Sequence, residues 1–155
     1  MNNTFITFII PTIGRESLLS SIQSLINQTD KDWNAIIIFD GIKNNFDISD
    51  SRIKIIEIEK TGDIEKCAGL VRNIGMKYVN NSSWIGFLDD DDYLGQNYIY
   101  NLKTEILLND SISVCIFRMG YESGCILPSK YDRNIYRGKV GISFAMKKHI
   151  SETNT

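Results

Sequence analysis

Apolar and polar positions along the chain change their period several times, and each change marks an element. Phe5 to Ile10 (FITFII) is β-branched and aromatic without polar alternation, as in a strand covered on both faces, and it stops at Pro11. After the loop Thr12-Ile13-Gly14-Arg15, the segment SLLSSIQSLINQ sets Leu18, Leu19, Ile22, Leu25 and Ile26 at helical spacing, predicting a helix that packs on the sheet. Trp33 to Phe39 (WNAIIIF) is a second buried strand, ending in Asp40-Gly41 before the polar loop Ile42 to Ser51. Arg52 to Ile58 alternates as a third strand with one wetter face. From Asp63, placed to cap a helix, the residues Ile64, Cys67, Ala68, Val71, Ile74 and Tyr78 keep helical spacing to Val79, and Asn80-Asn81 break it.

Trp84 to Tyr93 (WIGFLDDDDY) then runs an apolar strand into four consecutive aspartates, Asp89 to Asp92. A helix over about Gln96 to Leu108 follows, with Ile99, Leu102, Ile106 and Leu107 as its buried face. Ile112 to Met119 and Gly124 to Leu127 are strand-like, and Tyr131 to Arg137 reads as a polar, aromatic loop. Gly141 to Lys147 suits one more strand or a turn entering a helix, and Ser151 to Thr155 a ragged end. Alternation of buried strands with helices predicts a three-layer α/β/α sandwich with a mostly parallel central sheet, in which ligands bind outside the carboxyl ends of the strands. Three such ends carry polar chemistry here: Thr12 to Arg15, Asp40-Gly41, and Asp89 to Asp92.

Adjacent carboxylates repel one another by about 1 kcal/mol per close pair even in water, so the aspartate run points to a hard cation at a strand end. The alternative is a solvated acidic turn opening the next helix. Gly69 and Gly75 inside the second helix cost about 1 kcal/mol each relative to alanine, which points to close approach of another backbone or a ligand. Arg72 lies one position off that helix's apolar stripe.

Composition narrows the classes. A chain of 155 residues, 43% hydrophobic and 23% charged, fits one soluble domain, 1–155. Net charge is -2 with both signs interspersed, which argues against a nucleic-acid polymer as partner. The apolar run near the N-terminus is too short for a signal or membrane-spanning segment, and a cytoplasmic location is expected. Cys67, Cys115 and Cys125 lack CxxC spacing and are expected to be reduced.

The blocks IIPTIGRESLLSSIQSLINQ, IIIFDGIKNN, AGLVRNIGM and WIGFLDDDDYL come in the order and spacing of family 2 glycosyltransferases with the Rossmann-like GT-A fold, and the chain resembles them over roughly residues 5 to 100. The family pattern is a strand ending PTYNR, a strand ending DDGS or NDGS, an ARN on a helix and a strand ending LDxDD. The resemblance implies nucleotide binding by Pro11, Thr12, Gly14, Arg15, Asp40, Arg72, Asp89 and Asp90, with Asp40 reading the base and Asp89 near the ribose. It implies Mn2+ or Mg2+ on Asp91 and Asp89, the two acids of the DxD motif, and donor-sugar contacts from Asp92 and Arg72. Two departures stand out: Ile13-Gly14 replace the usual Tyr-Asn, and Phe39 precedes Asp40 where an acid is common.

What the resemblance implies is a metal-dependent, inverting hexosyltransferase that moves a sugar from a nucleotide diphosphate, UDP by family frequency, to an acceptor hydroxyl of unspecified glycan, lipid or protein. Inversion requires a general base. The ED pair that usually supplies it is absent, leaving Glu122 and Glu152 as weak candidates, so the chain reads as the donor-binding part lacking the acceptor-binding part. The alternative is a nucleotide-sugar-binding module without transfer. His149, in the run Lys147-Lys148-His149, reads as a surface residue ahead of a metal ligand. A phosphoacceptor receiver domain would need an acid pair where Pro11-Thr12 stands.

Overall fold

The computed structural model describes residues 4–62, 67–129, 131, 134 and 143–152, the side chains of 67, 151 and 152 excepted. The expected cap at Asp63, Ile64 and most of the loop from Tyr131 to Arg137 lie outside the described residues. The elements are β1 (Thr4–Thr12), α1 (Leu18–Ile26), β2 (Trp33–Asp40), β3 (Ile53–Ile58), α2 (Cys67–Met76), β4 (Ser82–Phe87), α3 (Tyr98–Leu108), β5 (Val114–Ile116), β6 (Met119–Gly120), β7 (Ile126–Leu127), β8 (Phe144–Lys147) and α4 (Lys148–Glu152). No helix among the described residues is long and apolar enough to cross a membrane.

Six strands form one sheet in the order β3-β2-β1-β4-β8-β5. The pairs β3-β2, β2-β1 and β1-β4 are parallel, and β8 runs antiparallel to both β4 and β5. The mostly parallel, three-layer architecture expected from the sequence is therefore present. Alternation along the buried strands sorts the core into two faces. Ile6, Phe8, Ile10, Ile37, Phe39 and Trp84 meet Leu18, Ile22 and Leu25 of α1 and Ile99 and Leu102 of α3. Ile9, Ile36, Ile38, Ile85 and Phe87 meet Val71 of α2 and Val79 on the other.

Several details differ from the periodicity. β1 continues through Pro11 to Thr12, paired with β2 as Pro11↔Ile38. Ile9 turns its carbonyl to Leu88 N–H of the β4 side, so Pro11, two residues on, has its missing donor on that same side, where β4 pairing has already ended at Phe87. Leu19 and Leu107, assigned to buried faces, are 48% and 86% exposed, because only a narrow stripe of α1 and the first turns of α3 meet the sheet. The strand expected over Ile112 to Met119 splits after Ile116, where the Phe117 ring leaves the sheet to stack on Tyr98 and β6 pairs with β7 instead. The tail realises both of its readings, β8 running straight into α4. Cys115 and Cys125 are free thiols; the side chain of Cys67 lies outside the described residues.

The two glycines of α2 have different reasons for being there. A Cβ on Gly75 would fall 2.5 Å from Ile38 Cδ1 and 2.6 Å from Ile9 Cγ2, so the absent side chain lets the helix lie close on the sheet. A Cβ on Gly69 would meet nothing within 4 Å, which corrects the expectation of a close neighbour there among the protein's own described atoms. Gly75→Ala is expected to destabilise by about 1–3 kcal/mol through overpacking, whereas Gly69→Ala stabilises by up to about 1 kcal/mol. Urea unfolding of both variants checks this: opposite shifts in midpoint are expected, and equal shifts would show that the α2–sheet contact is looser than described.

Candidate active site

The strand order reverses at β1. The chain passes from β1 through α1 to β2 on one side, and the later unit β3, α2, β4 returns to β1's other side. Such a switch point leaves a crevice at the carboxyl ends of the two central strands, because their loops turn away in opposite directions. The polar residues after β1 and β4 stand at this place. A cleft of about 220 Å3 opens there, lined by Pro11, Thr12, Arg15, Asp40, Arg72 and the aspartates Asp89, Asp90 and Asp91. Eight residues singled out by sequence thus share one cavity. Gly14 sits behind them with φ 83, donating its N–H to Thr12 Oγ1 (3.0 Å). Asp92 faces a neighbouring cavity.

The four aspartates separate into distinct environments. Asp90 is buried, and its carboxylate accepts from Thr12 Oγ1 (2.7 Å) and Arg15 Nη1 (3.1 Å), so it ties the loop after β1 to the loop after β4. Asp89 pairs with Arg72 of α2. Asp91, with its side chain 59% exposed, touches Arg15 (3.0 Å), whose own side chain is 48% exposed. Between groups so open to water this contact is worth about 0–1 kcal/mol and yields readily to a stronger partner. Asp92 is half-buried, and burial, with Asp89 and Asp91 beside it, pushes its pKa above the usual carboxylate value.

One carboxylate oxygen from each of Asp89, Asp91 and Asp92 lies within 4.8 Å of the other two. Ligand oxygens on a magnesium-sized ion sit about 2.1 Å from it, hence up to about 4.2 Å apart, so the cluster fits a hard divalent ion after a slight contraction. His149 is exposed in α4 and does not join this cluster. Of the weak base candidates, Glu122 is exposed in the turn between β6 and β7 and lines neither cavity. The side chain of Glu152 lies outside the described residues.

Asp40, the last residue of β2, accepts from both the backbone N–H and the hydroxyl of Thr61 at 2.8 Å each. It thereby holds the segment around Lys60 against the cleft while still lining it. Gly41, at φ 74, is needed at this corner, since a Cβ there would come 2.6 Å from Lys60 Cβ. Lys60 itself lines the cleft and adds a cation that sequence reasoning did not single out.

A polar stripe along α1 and the turn just past its end was also missed. Ser21, Ser24 and Gln28 are buried, at spacings of 3 and 4, and they fasten the aspartate loop. Ser21 Oγ donates to the Asp92 carbonyl (2.6 Å), Ser24 Oγ accepts from Leu94 N–H (3.1 Å), and Gln28 Nε2 donates to the Gly95 carbonyl (2.8 Å). The signal was in the sequence: these polar positions recur at the same helical spacing as the apolar stripe beside them.

A family model described as "Glycosyl transferase family 2" matches residues 7–151. The minor teichoic acid biosynthesis protein GgaA of Bacillus subtilis (strain 168) is 28% identical over 144 residues, covering 82% of this chain and 31% of that protein. Among solved structures, S. aureus TarS 1-349 superposes with a TM-score of 0.76 at 14% identity, over 97% of this chain and 49% of that one. Its complex with UDP-GlcNAc gives 0.73 at 15% identity, over 97% and 47%. At such identities these neighbours show the fold. The chain spans about a third to a half of the length of the relatives it matches.

Proposed function

The chain belongs to glycosyl transferase family 2, and from that premise we propose that it binds the nucleotide diphosphate of an activated sugar, a UDP-sugar first of all, in the cleft between β1 and β4 and serves the inverting transfer of that sugar to an acceptor hydroxyl. The observation that carries this reading is the convergence, around one cleft, of Arg72, Arg15 and the cluster Asp89, Asp91 and Asp92. The UDP-GlcNAc complex of the TarS neighbour supports the choice of donor, and the name of GgaA, a minor teichoic acid biosynthesis protein, points to a teichoic acid as acceptor class.

In the transfer, the acceptor oxygen attacks the anomeric carbon as the bond from that carbon to the diphosphate oxygen breaks. The nucleoside diphosphate leaves with the bonding electrons, and a carboxylate base takes the hydroxyl proton. Asp91, with Asp89 and Asp92, would hold Mn2+ or Mg2+, which when bound would supply positive charge to the diphosphate. Arg72 bonds the leaving diphosphate, where negative charge grows as the bond breaks. Arg15, with Nη1 kept on Asp90 and its weak contact with Asp91 released, offers its remaining guanidinium N–H groups to the same phosphates. Asp90 and Thr12 keep the two loops in register, and Asp92 orients the sugar. Transfer is tested by incubating the chain with UDP-GlcNAc and Mn2+ and reading UDP release. Metal-dependent release supports an enzyme, and binding with no release supports the alternative of a binding module.

Asp40 accepts a base N–H in this reading, so discrimination among UDP, GDP and CDP depends on it. Asp40→Asn keeps an acceptor for Thr61 N–H while removing the charge and offering a donor to the base. It is expected to weaken binding of the preferred nucleotide about tenfold and to narrow the gap to the others. Competition titrations check it; an unchanged ranking would leave Asp40 with only its hold on Thr61.

A further inference from the structure

The loop from β4 to α3 covers residues 88–97 and carries the three-acid cluster near its start. Its backbone is held along its length by α1 and the turn after that helix. Ser21 Oγ lies 2.6 Å from the Asp92 carbonyl and 3.2 Å from that of Asp89, and Asp92 N–H donates to the Asp89 carbonyl at 3.2 Å, so the hydroxyl sits across the mouth of a tight turn. Ser24 Oγ donates to the Ser21 carbonyl (2.7 Å) and accepts from Leu94 N–H. Gln28 Nε2 donates to the carbonyls of Ser24 (3.1 Å) and Gly95, while its Oε1 accepts from Ile99 N–H (3.2 Å) in the first turn of α3, where Asn97 makes no side-chain cap. Thr29 N–H donates to the Gln96 carbonyl (2.9 Å). The contacts therefore run in the same order on both sides, from Ser21 beside the acids to Thr29 at the far end. Among the described residues of this row, Ser21 is the one whose side chain bonds members of the cluster, and it is fully buried, out of reach of competing bulk water.

Carboxylates drawn together repel, and a turn that carries them opens unless its backbone is held. Resting on the metal reading above, we infer that Ser21 is a positioning residue for the divalent ion: its hydroxyl keeps the turn from Asp89 to Asp92 closed, so that the three carboxylates already converge to within 4.8 Å when the ion arrives. The ion then meets less of the cost of ordering its ligands, and its affinity depends on a group that never touches it. Asp90 complements this from the side-chain end, tied to Thr12 and Arg15, so the turn is fixed through backbone and side chain together. Ser24, Gln28 and Thr29 hold the later part of the loop and the start of α3, and they stabilise the fold without setting the cluster.

The test is titration of Mn2+ into the whole chain with UDP present, free Mn2+ being read by electron paramagnetic resonance, alongside urea unfolding and uridine binding in EDTA. Ser21→Ala is expected to weaken Mn2+ binding about tenfold or more while uridine binding stays unchanged. Gln28→Ala, which leaves Ile99 N–H and the Gly95 carbonyl without their partner, is expected to lower the urea midpoint at least as much as Ser21→Ala and yet keep Mn2+ affinity within about twofold of the parent. A merely structural hydroxyl would make Mn2+ affinity follow stability through the two variants, whereas a positioning hydroxyl separates the two readouts. Ser21→Cys keeps the volume with a poorer donor, is expected to fall between the parent and Ser21→Ala, and takes its place if Ser21→Ala does not fold. Mn2+ affinity equal to the parent's in the Ser21 variants, or reduced no more than in Gln28→Ala, would overturn the role of Ser21. Failure of the metal reading looks different: the parent chain itself then binds no Mn2+ with UDP present, and the role of Ser21 falls with it.

Discussion

Asp91→Asn is expected to remove the metal-dependent part of UDP binding, a loss of about 100-fold or more with Mn2+ present, and to leave stability within about 0.5 kcal/mol of the parent. The reason lies in how differently the neighbouring carboxylates are placed. Asp91 is exposed and, among the described residues, held only by Arg15, so the fold does not lean on it, and its oxygen belongs to the three-acid cluster. Asp90 is the reverse case, buried between Thr12 and Arg15. Its replacement by alanine is expected to cost about 1–3 kcal/mol of stability, because it strips buried partners of their bonds. Calorimetry and thermal unfolding on the two variants separate the roles. Unchanged UDP affinity for Asp91→Asn in Mn2+ would remove the ion from these acids.

Arg72→Ala is expected to weaken UDP binding by about 10- to 100-fold while affinity for uridine stays unchanged, because the guanidinium addresses the diphosphate and leaves the base alone. Arg72 approaches the cleft from α2, on the face opposite α1, and pairs with Asp89. Its Nε is buried with no hydrogen-bond partner among the described residues, so the side chain retains a donor suited to a phosphate oxygen. Arg72→Lys should recover little, since an ammonium cannot reproduce the planar fork. If UDP and uridine lose affinity equally, Arg72 acts by shaping the cleft and has no bond to phosphate.

Much of this arrangement was legible in the chain because it is local. Buried parallel strands announce themselves as unbroken β-branched runs, and FITFII, WNAIIIF and the residues before Asp89 all lie in the centre of the sheet. Their polar ends share one rim as a consequence of parallel topology, which is why eight separately chosen residues line one cleft. What periodicity missed was set by distant partners. β8 inserts antiparallel between β4 and β5, and no pattern within residues 144–147 specifies that neighbour. The inward turn of Asp90 depends on Thr12, 78 residues earlier, and on Arg15. Leu19 and Leu107 fit a helical stripe but find no sheet beneath them. The hydroxyls of Ser21 and Ser24 recur at helical spacing, but their partners Asp92 and Leu94 stand 71 and 70 residues later in the chain. The neighbouring cavity that Asp92 faces, built from the connection after β5, was not visible at all, since its aromatic wall joins Tyr98 and Phe117 from separate elements.

The central claim is that the aspartate loop and the two arginines form a working site for a nucleotide diphosphate with its divalent ion. Calorimetric titration of UDP, GDP and CDP into the chain with Mn2+, repeated with EDTA, tests it most directly. The account predicts tight binding of one nucleotide, UDP, that disappears with EDTA. Binding of none of the three in Mn2+, or binding that EDTA leaves untouched, would contradict it.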